Sequence, residues 1–331
     1  MRRAAVPLYP LRFEPICKEK VWGGRRIEGV YGRPLAPGAR VGESWEIADH
    51  GGDVSRVAEG PLAGRSLREL VAEDPERILG EALAARRFDR FPLLFKLLDA
   101  SAHLSVQVHP PDGYAAGHER GEWGKTELWY VAAAERGAAL LCGLRPGLGR
   151  EELTRALAEG RVDGCLRRIA VKPGDALFVP AGMVHAVCAG VLLFEIEENS
   201  DVTYRLFDWG RAGRPLHLAK ALEVVDFDLR LDPLVCARWE EGDGFRAAPL
   251  ARCRHFAATV CEVRGRISSS CAGERFRVLA VASGRGLLRH GGPCGEVVLR
   301  GGDHLLLPAA LGDYTVEAEG AGMVLLQTEV P

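Results

Sequence analysis

Short apolar runs broken by Gly, Pro and Asp make up most of this chain. Runs at 93–98, 104–108, 127–132, 138–142, 176–179 and 191–196 have this form, and each reads as a strand. Residues 1–60 are rich in Gly and Pro with short apolar stretches such as 44–48, again strands and turns. The pattern changes at Ser66, where Leu67, Leu70, Val71, Ile78, Leu79 and Leu83 fall at helical spacing. Ser66 with Glu69 three residues on is a capping-box signature, and Asp74-Pro75 offers a second helix start. Two short helices are therefore expected within a helical segment of about 66–90. Arg150 to Gly160 predicts one more, with Leu153, Ala156 and Leu157 on one face. Beyond about residue 234 the helical signal is gone, and 278–282, 286–289, 297–299, 304–307, 314–317 and 323–327 read as strands. Many short strands at this spacing indicate a β-sandwich or jelly roll.

An internal repeat divides the chain. Gly174, Asp175, Leu177, Pro180 and Ala181 recur as Gly302, Asp303, Leu305, Pro308 and Ala309, always 128 residues on. The expectation is two related β domains, 1–234 carrying the helical segment and 235–331 following it. In the second copy Asp313 stands where the first has His185. No Gln-x-His pair precedes Asp313, and His290 and His304 are isolated, so the second domain is read as lacking a metal site.

Length and charge narrow the function classes. A chain of 331 residues accommodates about two domains at roughly 150 residues each. Its 43 basic and 45 acidic residues leave a net charge of −2, and no run of like charge exists, which argues against nucleic-acid binding. The apolar stretch 186–194 is too short to span a bilayer, and Met1-Arg2-Arg3 is followed by no apolar leader segment. Nine cysteines without CxxC spacing fit scattered thiols in a reducing cytoplasm rather than a disulfide framework. Only six lysines, one asparagine and two glutamines occur, so Lys96, Gln107 and Lys125, close together in sequence, attract notice.

Four positions suggest a metal site. Gln107 and His109 are two apart on a strand and face the same way. Glu127 opens another strand after the turn at Gly124, and His185 follows the turn Pro180-Ala181-Gly182. Two imidazoles, a carboxylate and an amide suit a divalent ion with room for water or substrate.

The spacing Gly174-x5-Pro180-x-Gly182-x2-His185 resembles the second signature of the cupin jelly roll. Within cupins the chain is similar to the type I phosphomannose isomerases. The matching segments are KEKVWGG at 18–24, VGESWEI at 41–47, PLLFK at 92–96, LSVQVHPPD at 104–112, GKTELWY at 124–130, the turn ending at His185, and NSDVTYRLFDWGR at 199–211. They fall in family order over 18–211. The resemblance implies two cupin-like jelly-roll domains, with a small helical insertion in the first, and an aldose–ketose isomerase acting on mannose 6-phosphate and fructose 6-phosphate. It makes Gln107, His109, Glu127 and His185 the ligands of one divalent ion, usually zinc. Arg205 and Lys125 become catalytic, while Trp22, Lys96, Ser105, Glu195 and Asp201 line the substrate pocket. At Glu197-Glu198 the chain departs from common members, which often carry amides there. Aldose–ketose interconversion moves a proton between C2 and C1 through an enediol, and Glu195, Lys125 and the neighbourhood of His109 are each conceivable sources of the base. An isomerase of another sugar phosphate, an iron-dependent cupin oxygenase and a sugar-phosphate sensor are the rival readings. The expected setting is a cytoplasmic monomer or homodimer with no nucleic-acid or membrane partner.

Overall fold

A computed structural model describes residues 8–293 and 295–331; the amino-terminal Met1-Arg2-Arg3 and Cys294 lie outside them. The molecule is mainly β, and no helix among the described residues is long and apolar enough to cross a membrane. The chain divides into two compact units, each assembled from separate stretches.

The unit formed by 17–45 and 93–235 holds every candidate site residue. Its strands are β1 (Ile16–Gly24), β2 (Val41–Ile47), β3 (Leu93–Ala100), β4 (Val106–Val108), β5 (Glu127–Ala134), β6 (Ala139–Leu144), β7 (Leu166–Ala170), β8 (Ala176–Val179), β9 (His185–Val187), β10 (Val191–Glu198) and β11 (Tyr204–Phe207). One sheet has the order β8-β5-β10-β3-β2-β1, the other β7-β6-β9-β4-β11. Leu98, Trp129, Val131, Leu177 and Leu193 of the first sheet share an apolar core with Leu140, Cys142 and Val187 of the second. The two sheets therefore pack face to face, the jelly-roll arrangement. The outer side of the second sheet buries Val106, Val108, Ala186, Tyr204 and Leu206, together with Leu153 of helix Arg150–Ala158 and Ala221 of helix Leu218–Val224. Alternation along β4 thus aims Val106 and Val108 outward and leaves Gln107 on the side of the inter-sheet space.

Among the described residues, the other unit takes 8–16, 46–92 and those of 236–331. Apart from the short ladder of Asp49–His50 with Asp53–Val54, its strands join one network around Val263, Leu279, Leu288, Leu305, Val316 and Leu325. Segments expected as separate strands run together here: 278–282 and 286–289 lie in Arg277–His290, and 314–317 and 323–327 lie in Asp313–Glu329. Both long strands continue through register shifts at Val281/Ser283 and Gly284/Arg285, so bulges stand where the expected break between strands lay.

The helical segment differs from expectation in number and in place. Three helices form, Leu67–Glu73, Pro75–Leu79 and Glu81–Ala84, the first with the full Ser66/Glu69 capping box. They were expected inside the 1–234 domain but belong with the carboxyl-terminal strands. The Phe276 amide donates to the Leu79 carbonyl at 3.1 Å, and the Phe91 and Phe276 rings lie 4.8 Å apart, centroid to centroid. Burying Leu79, Phe91 and Phe276 together outweighs proximity in sequence.

The sequence repeat is a structural one. At Lys172–Asp175 and at Arg300–Asp303 the first residue's amide donates to the Asp side chain at 2.9 Å, and the Asp amide returns to the first residue's carbonyl. Gly174 and Gly302 hold φ of 92° and 90°, the left-handed region that the third position of this turn needs. Strands Ala176–Val179 and His304–Leu307 follow, at equal length.

Candidate metal centre and cleft

Strand register sets the site. His185 on β9 pairs with Gln107 on β4, and Gln107 pairs on its other side with Arg205 on β11, so amide, imidazole and guanidinium form a row across one sheet. On the facing sheet, Glu127 of β5 pairs with Glu197 of β10, Trp129 with Glu195, and Glu195 with Lys96 of β3. Period-two alternation keeps Glu127 and Trp129, and Glu195 and Glu197, on common faces. Two turns complete the arrangement. The Gly182 amide donates to the His109 carbonyl at 2.9 Å, tying the turn before β9 to the end of β4. Gly124 lies so close to Asp112 that a Cβ would sit 2.5 Å from its backbone nitrogen, and this packing delivers Lys125 and Glu127.

His109, Glu127 and His185 converge, their potential ligand atoms all within 4.8 Å of one another. His109 Nδ1 lies 2.7 Å from the Val202 carbonyl and His185 Nδ1 2.9 Å from that of Met183. Carbonyls only accept, so both Nδ1 atoms carry the proton and both Nε2 atoms present lone pairs. His109 Nε2 faces Glu127 Oε1 at 3.2 Å and His185 Nε2 faces Oε2 at 3.9 Å. Neither His109 Nε2 nor Glu127 Oε2 has a hydrogen-bond partner, although both are buried. Two buried acceptors without donors, with the His185 Nε2 lone pair beside them, are what a divalent cation requires, so these residues fit one. Gln107 turns its NH2 toward His185 Nε2 at 3.2 Å, while its carbonyl accepts from Ser105 Oγ at 3.1 Å. An amide rotation exchanging its O and N would add a fourth oxygen donor. Burial, with His109 alongside, lowers the His185 pKa to about 3, so its imidazole is neutral. Burial alone would raise Glu127, yet Lys125 beside it holds it well below the usual carboxylate range.

Beside these three residues opens a cleft of about 240 Å³. Trp22, Lys96, Ser105, Gln107, Lys125, Glu195, Asp201 and Arg205 line it, whereas His109, Glu127 and His185 are buried outside its lining, next to Gln107 and Lys125. Asp201 is exposed at the rim. Lys125 ion-pairs with both Glu127 and Glu197, and Lys96 with Glu197 at 2.6 Å and Glu195 at 3.3 Å. Trp129 donates its indole N–H to Glu195 at 3.0 Å. Burial would lower Lys96, but Glu197, Glu195 and Glu43 raise it well above its ordinary value, and Lys125 shifts the same way. Burial, with Glu195 beside it, pushes Glu197 up against the pull of the two lysines. Arg205 Nη1 donates to the Pro215 carbonyl at 2.8 Å, its Nε is without a partner, and among the described residues no carboxylate pairs with it. It is the cleft's cation most available to an anion.

Sequence reasoning passed over several cleft residues. Lys20, Glu43, Thr203 and Arg214 also line the wall, with Glu43 bound to Lys20 at 3.0 Å and to the Trp45 indole at 2.9 Å. Glu197 was noted only as a departure from a pattern. Alternation was the available signal: Lys20 lies two before Trp22, Glu43 two before Trp45, and Glu197 two after Glu195.

Comparison with known proteins agrees with this geometry. Residues 11–123 match the phosphomannose isomerase type I catalytic domain, and 249–326 the mannose-6-phosphate isomerase cupin domain. Mannose-6-phosphate isomerase ManA of Bacillus subtilis is 38% identical over 316 residues, covering 93% of this chain and 96% of that protein. The Streptococcus mutans mannose-6-phosphate isomerase is 33% identical over 315 residues, 94% and 96% of the two chains. The crystal structure of the Bacillus subtilis mannose 6-phosphate isomerase superposes with a TM-score of 0.87 at 34% identity, over 97% of this chain and 99% of that one. Identity at this level along nearly the full length of such proteins exceeds what a common fold demands, and the chain belongs to the type I mannose-6-phosphate isomerase family.

Proposed function

We propose that this protein interconverts mannose 6-phosphate and fructose 6-phosphate, with one zinc ion per chain held by Gln107, His109, Glu127 and His185. The observation that carries the reading is the convergence of His109, Glu127 and His185 on one buried point, beside a cleft lined by Arg205. A divalent ion there supplies Lewis-acid stabilisation of negative charge on neighbouring oxygens. Arg205, a fixed guanidinium without a carboxylate partner, holds the substrate's anionic charge. Lys125 and Lys96 supply ammonium donors for oxygens that gain charge or protons during enediol formation. Glu195, Asp201 and Ser105 accept and donate hydrogen bonds to sugar hydroxyls, and Trp22 closes the wall against water. Eight free cysteines among the described residues support a reducing, cytoplasmic setting, where the protein acts as a monomer or homodimer.

The test is a coupled assay of zinc-reconstituted protein on mannose 6-phosphate, with chelated protein and Arg205→Ala alongside. Fructose 6-phosphate should form, chelation should abolish it, and Arg205→Ala should lower kcat/KM by about 10²–10³. Folded, zinc-loaded protein that leaves mannose 6-phosphate unchanged would overturn the substrate assignment.

A further inference from the structure

Glu197 is fully buried between the two cleft lysines, with one carboxylate oxygen toward each. Lys125 ion-pairs with its Oε2, and Lys96 lies 2.6 Å from its Oε1. Each lysine already has another carboxylate, Glu127 for Lys125 and Glu195 for Lys96. Glu197 is therefore not needed merely to neutralise a lone buried cation. Its distinctive property is that it ion-pairs with two ammonium groups at once, Oε2 accepting from Lys125 and Oε1 facing Lys96. An amide at this position would keep the shape but offer one acceptor oxygen, and its NH2 cannot accept from an ammonium.

We propose that Glu197 is a positioning residue, which shares Lys125 with Glu127 and fixes Lys96 beside it on the cleft wall. The inference rests on reading Glu127 as a metal ligand and the cleft as the isomerase site. Lys125 and a divalent ion compete for the Glu127 carboxylate, because both are attracted to the same negative charge. While Glu197 takes a share of Lys125, Glu127 keeps more of its charge for the metal. Removing the Glu197 charge leaves Lys125 to Glu127 alone and also deletes an anion close to the proposed metal ligands. Both effects weaken cation binding, and both displace the lysines from the sugar.

The experiment titrates wild type, Glu197→Gln and Glu197→Asp with zinc against a chromophoric chelator, then measures kcat and KM on mannose 6-phosphate at saturating zinc. Glu197→Gln should weaken zinc binding about tenfold and lower kcat by a similar factor, with KM changed less than about threefold, as partners of metal ligands typically do. Glu197→Asp keeps the charge but is one methylene too short for both lysines, and should fall between. Unchanged zinc affinity and kcat in Glu197→Gln, even with a lower Tm, would overturn the proposal by showing a structural role only. If Glu197→Gln does not fold, Glu197→Asp is read by the same criteria. Wild type that binds no zinc overturns the ligand reading and this proposal with it. Wild type that binds zinc but leaves mannose 6-phosphate unchanged overturns the substrate assignment alone, and the zinc titration still decides the role of Glu197.

Discussion

His109 and His185 each commit Nδ1 to a backbone carbonyl, and this turns both Nε2 atoms toward Glu127. The Nε2 lone pairs and the Glu127 carboxylate then repel one another at close range in a buried site. A bound divalent ion converts that repulsion into attraction, so it should stabilise the folded state by mass action, about 2.7 kcal/mol at a hundredfold excess over Kd. Zinc added to chelated protein is expected to raise Tm. His185→Ala should remove most of that rise, and a calorimetric scan with and without zinc checks it. An undiminished rise in His185→Ala would place the ion elsewhere.

At the scale of elements, strands bring the chemistry together and turns aim it. The pairing of β4 with β9 and β11 fixes Gln107, His185 and Arg205 in a row, a relation between residues far apart in sequence. Local signals were readable where a side chain bonds its own neighbourhood. Ser66 accepts the Glu69 amide at 3.2 Å and Glu69 accepts the Ser66 amide at 2.8 Å, as their spacing predicted. Ser66→Ala should cost about 1 kcal/mol in urea-induced unfolding, with isomerase kinetics unchanged. Helices Arg26–Tyr31, Asp112–His118 and Leu218–Val224 were not anticipated. Each is a short helix without a side-chain cap, so little in the local sequence marked its start.

Over the whole molecule the charges nearly cancel, but within the site-bearing unit they are concentrated and buried. Lys20, Lys96 and Lys125 interleave with Glu43, Glu127, Glu195 and Glu197 on one wall. Their protonation governs stability in acid. His185, with an ordinary value of 6.5, falls to about 3 in the fold, so between those values the unfolded chain binds a proton that the folded chain refuses. Burial would raise Glu43, but Lys96 and Lys20 lower it from 4.5 to about 2, and its contribution, complete above 4.5, is lost as pH falls toward 2. Both shifts act in one direction. The urea midpoint of metal-free protein should decline as pH drops below about 6.5 and decline further below about 4.5. A midpoint flat from pH 7 to 4 would contradict the burial of His185.

Short apolar runs between Gly, Pro and Asp determined that this protein is mainly β, and the 128-residue repeat pointed to two related parts. Turn chemistry such as Gly174-Asp175 and Gly302-Asp303 was legible because it depends on backbone conformation within four residues. The candidate ligands were nameable for a related reason: Gln107 and His109 stand two apart at the end of one extended run, His109 just past β4, and Glu127 and His185 each follow a recognisable turn. Only the tertiary structure decided that helices 67–84 pack with the carboxyl-terminal strands, because that choice rests on apolar contacts such as Phe91 with Phe276. It alone decided which carboxylates hold which lysines, since the Lys96–Glu197 and Lys125–Glu197 pairs follow from register across different strands. Pattern along a chain reports which face a residue takes; the neighbour it meets there depends on long-range pairing, which no local window contains.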